Sequence, residues 1–176
     1  MNNEIKEKMK NSILDFRLPR YSDITNVGLY LEQTVKFINA YLAPLGSPEL
    51  TTSMVSNYVK SKLIASPEKK QYYTEHIAYL MFIAVTKTVI SLDDIRMMIA
   101  MQKEEYPVNQ VYDYFCNEFE NLLKYTFGFT EAEDKVGELE TDSKDLLKNV
   151  IVAAVHKIYL DKYLEVFRTL SEKDEK

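Results

Sequence analysis

The sequence predicts an all-α protein of about six helices with one small β-hairpin. Only four Gly and five Pro occur among its 176 residues, so the connections between helices are short. Apolar residues recur at three- and four-residue spacing through most of the chain, which is typical of helices that bury one face. The interval from Leu63 to Tyr73 departs from this spacing, because it places turn residues between two short apolar or aromatic pairs.

A helix is predicted to begin at Thr51 or Thr52 and to continue for about three turns. Either threonine can accept a hydrogen bond from a backbone N–H of the first turn, and no Gly or Pro interrupts the segment before Leu63. The two faces of this helix differ in chemistry. The predicted core face carries Met54, Val55, Tyr58 and Val59, and the opposite face carries Ser53, Ser56, Asn57 and Lys60.

A hairpin with a basic tip is predicted directly after this helix. Leu63-Ile64 and Tyr72-Tyr73 are its expected strands, and Ser66-Pro67-Glu68 supplies the turn residues. Lys69 and Lys70 then lie at or just beyond the tip.

Helices are predicted on both sides of this unit. The helix before it is capped by Thr25 or Asn26, and its core stripe is Val27, Leu31, Val35, Ile38 and Leu42. The helix after it begins at Thr74 and has no charged residue from Ile77 to Thr86, so we expect it to be buried nearly all round. A further helix begins at Ser91 and ends before Pro107.

The small polar face of the helix at Thr51 indicates contact with DNA. A helix in the major groove needs short hydrogen-bonding side chains near the base edges and cations near the phosphates. The residues predicted to face bases are Thr52, Ser53, Ser56 and Asn57, and those predicted to face phosphates are Tyr58, Lys60, Lys62, Lys69 and Lys70. The alternative interpretation is an ordinary solvent-exposed helix face.

The order of these elements resembles the winged helix-turn-helix of the MerR regulators over roughly Thr51 to Met101. Tyr58 takes the place of the first Tyr in that family's Thr-Leu-Arg-Tyr-Tyr-type helix, and Ser91-Leu-Asp-Asp-Ile95 takes the place of its Ser-Leu-Glu-Glu-Ile. Asn57 stands where the family has Arg, Val59 stands at the second Tyr, and the wing has lysines in place of arginines. A wider stretch, from the Arg17-Leu-Pro-Arg-Tyr-Ser-Asp-Ile24 opening to about Tyr125, is similar to the bacterial family described as domain of unknown function 1836. That family implies no established activity.

Composition places the protein in the cytoplasm. The single Cys116 excludes an internal disulfide, and the first ten residues, with three Lys and two Glu, do not have the pattern of a secretory signal. The uncharged run at Ile77 is far shorter than the roughly twenty residues that a membrane span needs.

The net charge of −5 is divided unevenly, since residues 1–103 sum to +3 and residues 104–176 to −8. The basic part contains the candidate DNA-binding helix, and the acidic part has the solubilising composition typical of exposed helices.

The C-terminal part is predicted to form two helices, separated by an acidic stretch from Glu131 to Asp142. The apolar stripe from Val108 to Thr126 and the face from Leu147 to Leu170 predict a homodimer, and the alternative is packing of both helices onto the helix from Thr74 to Val89. Aromatic residues in this part predict either plain core or a pocket for a small-molecule effector. They are Tyr112, Phe115, Phe119, Tyr125, Phe127, Phe129, Tyr159, Tyr163 and Phe167.

These observations divide the chain into an N-terminal amphipathic segment (residues 1–16), a winged helix-turn-helix domain (17–105) and a C-terminal helical region (106–176). Two His and one Cys without ligand spacing predict no metal site, and the sequence has no phosphate-binding Gly loop, nucleophile elbow or other catalytic motif. We therefore expect no cofactor and no enzyme activity. The predicted function is transcriptional regulation by binding double-stranded DNA. The alternative is a protein-interaction module with the same fold that does not bind DNA.

Overall fold

Seven helices and one pair of short strands form the part of the chain that the computed structural model describes, which is residues 2–46, 49–131 and 141–174. The helices are α1 (Asn2–Ser12), α2 (Leu31–Leu42), α3 (Thr52–Lys60), α4 (Thr74–Thr86), α5 (Leu92–Glu105), α6 (Val108–Thr126) and α7 (Asp142–Asp174). The strands are β1 (Leu29–Tyr30) and β2 (Gln71–Tyr72), and short 3-10 turns span Tyr21–Asp23 and Ala43–Leu45. The expectation of a mostly helical chain is confirmed, and the strands form one small two-stranded antiparallel sheet. Residues 132–140, which hold most of the predicted acidic stretch, lie outside the described residues.

Helix α4 is the centre of the fold. Every residue from Ile77 to Thr86 is buried except Tyr79, which is half-buried, as expected from a run without charge. Helices α2, α5, α6 and α7 all pack against α4. The Thr86 hydroxyl donates a 2.8 Å hydrogen bond to the Phe82 carbonyl, so this polar group is satisfied inside the core. None of the helices in the described part of the chain is both long and apolar enough to span a membrane.

Helices α6 and α7 pack against each other within one chain. Leu122 of α6 and Ile151 of α7 are both buried, and the two helices also contact α4. Helix α1 packs on α7 through Ile5 and Met9, which are fully buried. The N-terminal segment is therefore an ordered helix that belongs to the core. The intramolecular packing that was the alternative to a homodimer is therefore observed for the stripes from Val108 to Thr126 and from Leu147 to Leu170.

Most of the predicted C-terminal aromatic set is core. Phe115 and Phe119 pack with ring centroids 5.7 Å apart, and Phe127 meets Tyr159 edge to face at 5.3 Å. Tyr125 and Phe167 are exposed instead.

The two strands correct the predicted hairpin. β2 pairs in antiparallel register with β1, so that Leu29 lies opposite Tyr72, whereas Leu63 and Ile64 are buried core residues without strand structure. The helix predicted to start after Thr25 or Asn26 is also shorter than predicted, since α2 begins at Leu31 and Val27 is 67% exposed. Extended backbone replaces the predicted first turn because residues 29–30 pair with a segment far along the chain.

Gly28 permits this strand pairing. A Cβ atom at this position would lie 2.7 Å from the Cβ of Gln71 and 2.9 Å from the Cζ of Tyr73, closer than side chains approach each other. The absence of a side chain at Gly28 therefore lets the backbone before β1 reach the segment around β2.

A buried ion pair attaches the segment between α1 and β1 to α6. Arg20 donates two parallel hydrogen bonds of 2.7 and 2.8 Å to the Glu120 carboxylate, which also accepts the Leu18 backbone N–H at 2.8 Å. The hydrogen bond to Glu120 raises the pKa of the Arg20 guanidinium, so Arg20 stays positively charged. One residue further on, the Asp113 carboxylate accepts the Tyr21 backbone N–H at 2.7 Å. The segment before β1 is thus fixed by two carboxylates of one helix.

Replacing Glu120 with Gln should lower the free energy of unfolding by about 3 kcal/mol, because it leaves the partly buried Arg20 charge without its counter-ion. Urea denaturation of both proteins measures the change. Asp161→Asn is the matched control: it makes the same kind of change in the exposed pair with Lys157 and should cost less than about 0.5 kcal/mol. Equal losses in the two variants would contradict a special role for the buried pair.

Candidate nucleic-acid interface

Helix α3 is fixed at its beginning by α2. The Asn39 side chain accepts the Leu50 backbone N–H and donates to the Leu50 carbonyl, both at 2.9 Å. Thr51 then caps the helix, since its hydroxyl accepts the Met54 backbone N–H at 3.2 Å. The predicted cap is therefore confirmed at Thr51, and α3 starts in a defined direction.

The two faces of α3 are those expected from the spacing, with one correction. Val55 and Tyr58 are buried, Ser53, Asn57 and Lys60 are exposed, and Thr52 and Ser56 are half-buried. We call Ser53, Asn57 and Lys60 the polar stripe. Tyr58 was predicted to face phosphates, but it is only 4% exposed because it lies on the same side of the helix as Val55. The structure thus places Tyr58 in the core.

The end of α3 is held by a tight backbone turn and by an arginine from α5. The Leu63 N–H donates to the Tyr58 carbonyl at 2.8 Å, and Lys62 between them has a positive φ of 57°. This is the helix-ending arrangement in which Gly is usual. Arg96 donates to the Ser61 carbonyl at 3.0 Å and pairs with Asp93. Sequence reasoning missed Arg96, because its position beside α3 depends on how α5 packs.

Lys69 and Lys70 form the two central residues of a tight turn. Glu68 and Gln71 exchange backbone hydrogen bonds of 3.1 and 2.8 Å, and φ is 49° at Lys69 and 67° at Lys70. Positive φ at both central positions defines a type I′ turn, for which Asn-Gly is the preferred sequence. We call Glu68 to Gln71 the basic turn. Both lysines were predicted to lie at or just beyond the tip of a hairpin. They lie at the tip of this turn, but the strand that follows pairs with β1 and not with Leu63-Ile64.

Lys62, Lys69 and Lys70 are the only non-glycine residues with positive φ in the described part of the chain. A side chain in this conformation costs about 1–3 kcal/mol, and such residues concentrate at functional sites. Gly or Asn would satisfy the backbone better at all three positions. The chain instead carries a cation at each of them, and all three lie close in sequence to α3.

His76 joins the segment before the basic turn to the start of α4. Its Nδ1 accepts the Tyr73 backbone N–H at 3.1 Å, so Nε2 carries the proton that it donates to the Ser66 carbonyl at 3.3 Å. The ring also meets Tyr72 edge to face at 5.7 Å. The residues on both sides of the basic turn are therefore attached to the start of the central helix by hydrogen bonds and by packing.

An open groove of about 680 Å³ lies between the starts of α2 and α3 and the basic turn. Thr52 and Lys70 both line it, so the structure brings together one predicted base-facing residue and one predicted phosphate-facing residue. Glu32, in the first turn of α2, lines the same groove and contributes a negative charge.

Lys87 is a second cation beside α3 that the sequence did not indicate. It is half-buried and its Nζ lies 3.4 Å from the Met54 sulfur. Desolvation lowers the pKa of this ammonium group. Lys87 therefore belongs to the support of α3 more than to its exposed face.

Two further kinds of site, a metal site and a reactive thiol, are absent from the described residues. They contain no group of three or more His, Cys, Asp or Glu side chains that could hold a metal ion. Cys116 is buried, and desolvation raises the pKa of its thiol to about 12, so it is protonated and unreactive at neutral pH.

Comparison with known proteins gives a single assignment. The sequence model of the family described as domain of unknown function 1836 matches residues 19–115, which is more than half of the chain and includes α2 to α5. No curated protein and no solved structure matches the chain.

Replacing Lys62 with Gly should raise the free energy of unfolding by about 1 kcal/mol, because Gly adopts a positive φ without a steric cost. Lys60→Gly is the matched control, since the same substitution at the last residue of α3 removes a side chain from ordinary helical backbone and should lower the free energy by about 1 kcal/mol. Thermal or urea unfolding measures both. A destabilised Lys62→Gly variant would show that the Lys62 side chain contributes more than its backbone costs.

Proposed function

The chain belongs to the family described as domain of unknown function 1836, and we propose that it is a DNA-binding transcriptional regulator that acts in the cytoplasm. The observation that carries this proposal is the placing of Lys62, Lys69 and Lys70, all with positive φ, in the turns beside α3. A cation that stands where Gly or Asn would fold more easily is best explained by a contact with an anionic partner.

In this proposal α2 and α3 form the helix-turn-helix pair, and the basic turn acts as the wing of a MerR-like domain. The polar stripe of α3 faces the major groove, with Ser53 and Asn57 at base edges and Lys60 toward the backbone. Thr52 and Ser56 are half-buried and contribute at the margin of the same face. Lys62, Lys69 and Lys70 also contact phosphates, and Arg96 lies close enough to the end of α3 to add a further contact.

Two charge observations favour a different function, that of a protein-interaction module. The net charge of the chain is −5, and Glu32 lines the groove between α3 and the basic turn. Both oppose phosphate binding. The excess of acid lies in residues 104–176, however, whereas residues 1–103 carry +3. A strongly salt-dependent affinity for duplex DNA separates the two functions, because the interaction module would have none.

We further propose that the regulator is a homodimer through the outer face of α7. Apolar residues remain exposed there at seven-residue spacing, which is the repeat of two helices packed side by side; they are Leu146, Ala153, Leu160 and Phe167. Leu164 extends the same face. Two recognition helices about one turn of DNA apart would give a specificity that one short helix lacks.

Regulation by a small-molecule effector also belongs to this proposal. Tyr112 and Phe115 of the C-terminal aromatic set line a cavity together with residues of α4 and α5. The cavity therefore lies between the helices around α3 and the helices of the C-terminal part.

Replacing Lys69 with Asn and Lys70 with Gly should weaken binding to all duplexes alike and reduce the slope of log affinity against log salt by about two. This pair of substitutions removes both charges but gives the type I′ turn its preferred sequence, so the fold is retained or stabilised. The assay uses duplexes selected from a random pool at modest salt, followed by titration over a range of salt concentrations.

The matched control is Lys6→Gln with Lys124→Gln, which removes two exposed charges from α1 and α6 and should change the slope little. Asn57→Ala should alter the base preference and leave the slope unchanged. A double variant of the basic turn that binds DNA with the wild-type slope would remove this turn from the interface. Absence of any duplex binding at low salt would contradict the proposed function itself.

Light scattering at micromolar concentration should give the wild-type protein a mass near twice 20.6 kDa. Leu160→Glu with Leu164→Glu should give a folded monomer, because both side chains are exposed in the single chain, at 57% and 46%. Met97→Glu, at an exposed apolar position of α5, is the control and should remain a dimer. A wild-type monomer, or a dimeric double variant, would contradict this interface.

A further inference from the structure

His76 lies between the residues that precede the basic turn and those that follow it. Its Nδ1 accepts the backbone N–H of Tyr73 at 3.1 Å, and its Nε2 donates to the backbone carbonyl of Ser66 at 3.3 Å. We call these two hydrogen bonds the His76 bridge. Because Ser66 comes before the basic turn and Tyr73 comes after it, one imidazole ring holds both ends of the segment that carries the turn.

The bridge also caps the start of α4. Tyr73 is the N-cap residue of this helix, and His76 is its third residue. The side chain that accepts the N–H of the N-cap residue from this position is usually that of Glu or Gln, whose oxygens remain acceptors between about pH 5 and 8. In this chain the acceptor is an imidazole nitrogen, which takes up a proton within the same pH range. The cap is therefore sensitive to pH.

A proton on Nδ1 is incompatible with the bridge. A neutral imidazole has one donor and one acceptor nitrogen, whereas both nitrogens of an imidazolium are donors. After protonation the Nδ1–H of His76 would face the Tyr73 N–H across 3.1 Å, with no acceptor between them. The ring must then rotate away. Rotation also removes the hydrogen bond to Ser66 and the edge-to-face contact with Tyr72, whose ring centroid lies 5.7 Å from that of His76.

The structure provides space for the rotated ring. A cavity of about 260 Å³ lies beside His76, between the residues that lead to the basic turn, the start of α4 and α5. A water molecule needs about 10–15 Å³ on the same measure, so the cavity has room for a side-chain ring. The carboxylates of Glu68 and Glu75 line it, and negative charge stabilises an imidazolium. Glu68 is the first residue of the basic turn, so the protonated ring is attracted to the turn itself.

The charged groups around the ring act in both directions. Glu68 and Glu75 favour the protonated ring, and the ammonium group of Lys103 in α5 disfavours it. Lys103 lies over the Tyr79 ring, 4.8 Å from its centroid. Tyr72 and Tyr79 stay neutral, because desolvation raises the pKa of both hydroxyls. The two lysines of the basic turn do not line the cavity. Two carboxylates thus stand against one ammonium group at the place to which the ring rotates.

We propose that the His76 bridge is a pH-sensitive device that holds the basic turn while the imidazole is neutral and releases it when the imidazole is protonated. On acidification the ring enters the cavity beside Glu68 and Glu75, the Tyr73 N–H loses its acceptor, and the segment from Ser66 to Tyr73 becomes more mobile. The device requires only the fold. Its effect on DNA binding rests on the proposed function, in which the basic turn contacts phosphates.

Nuclear magnetic resonance of the full nitrogen-15-labelled chain between pH 8 and pH 5, without DNA, tests this proposal. The backbone amide signals of Tyr73 and of residues 69–71 should shift with the same midpoint as the ring signals of His76. Hydrogen exchange at the Tyr73 N–H, corrected for the intrinsic effect of pH, should become about fivefold faster when the ring is protonated, as expected for the loss of one hydrogen bond. Because DNA is absent, a failure of duplex binding leaves this result untouched.

Variants of the two histidines separate the bridge from a general effect of acid. His76→Gln keeps an acceptor that does not titrate, so the amides of residues 69–71 should no longer shift together and the Tyr73 N–H should stay protected at pH 5. His76→Ala removes the bridge at every pH and should show at pH 8 the exchange rate that the wild type shows at pH 5. The matched control is His156→Gln, which removes the other histidine, at an exposed position of α7, and should keep the wild-type response.

Three results would overturn the proposal. In the first, the amides of residues 69–71 do not follow the titration of His76, which would confine the effect to the cap of α4. In the second, exchange at the Tyr73 N–H is unchanged when the ring is protonated. In the third, His76→Gln responds to pH as the wild type does, which would assign the response to another group.

Discussion

The burial of α4 is the constraint on which the rest of the structure depends. A helix that has no charged residue from Ile77 to Thr86 has no face that can meet water, so other elements must cover it on every side. Helices α2, α5, α6 and α7 provide this cover. The positions of helix α3 and of the cavity follow from that arrangement. Helix α3 is held at the edge of the assembly by α2 and α5, and the cavity lies where α4, α5 and α6 meet imperfectly.

The sequence predicted the features of the fold that have local causes. Thr51 and Ser91 cap α3 and α5 through hydrogen bonds that span three residues, and both caps were visible as residue types at the right spacing. The pairing of β1 with β2 was missed because it joins segments that are distant in the chain, and the spacing of Val27 with Leu31 fits a helix equally well. Gly28 marks the true geometry only when its neighbours Gln71 and Tyr73 are known.

In the candidate interface, too, the features with local causes were predictable and those that depend on long-range packing were not. The outward direction of Ser53, Asn57 and Lys60 follows from helical periodicity, and so does the burial of Tyr58, which was also predicted to face phosphates. Arg96 could not be found from the sequence, because its contact with Ser61 depends on the packing of α5 against the end of α3. The positive φ values at three lysines were likewise hidden, since Lys is not a residue that favours this conformation.

The dimensions of α3 explain why cations from the neighbouring turns matter for the proposed interface. The helix has nine residues and is therefore about 13 Å long, close to the width of a major groove at about 12 Å. It carries one cation, Lys60, so the phosphates on the two sides of a groove must be contacted from outside the helix. Lys62 follows the end of α3. Lys70 lines the open groove of the protein beside the basic turn, and Thr52, at the beginning of α3, lines the same groove. Because hydrogen-bonded turns fix the backbone at both places, the points from which these two lysine side chains project are set before a partner binds.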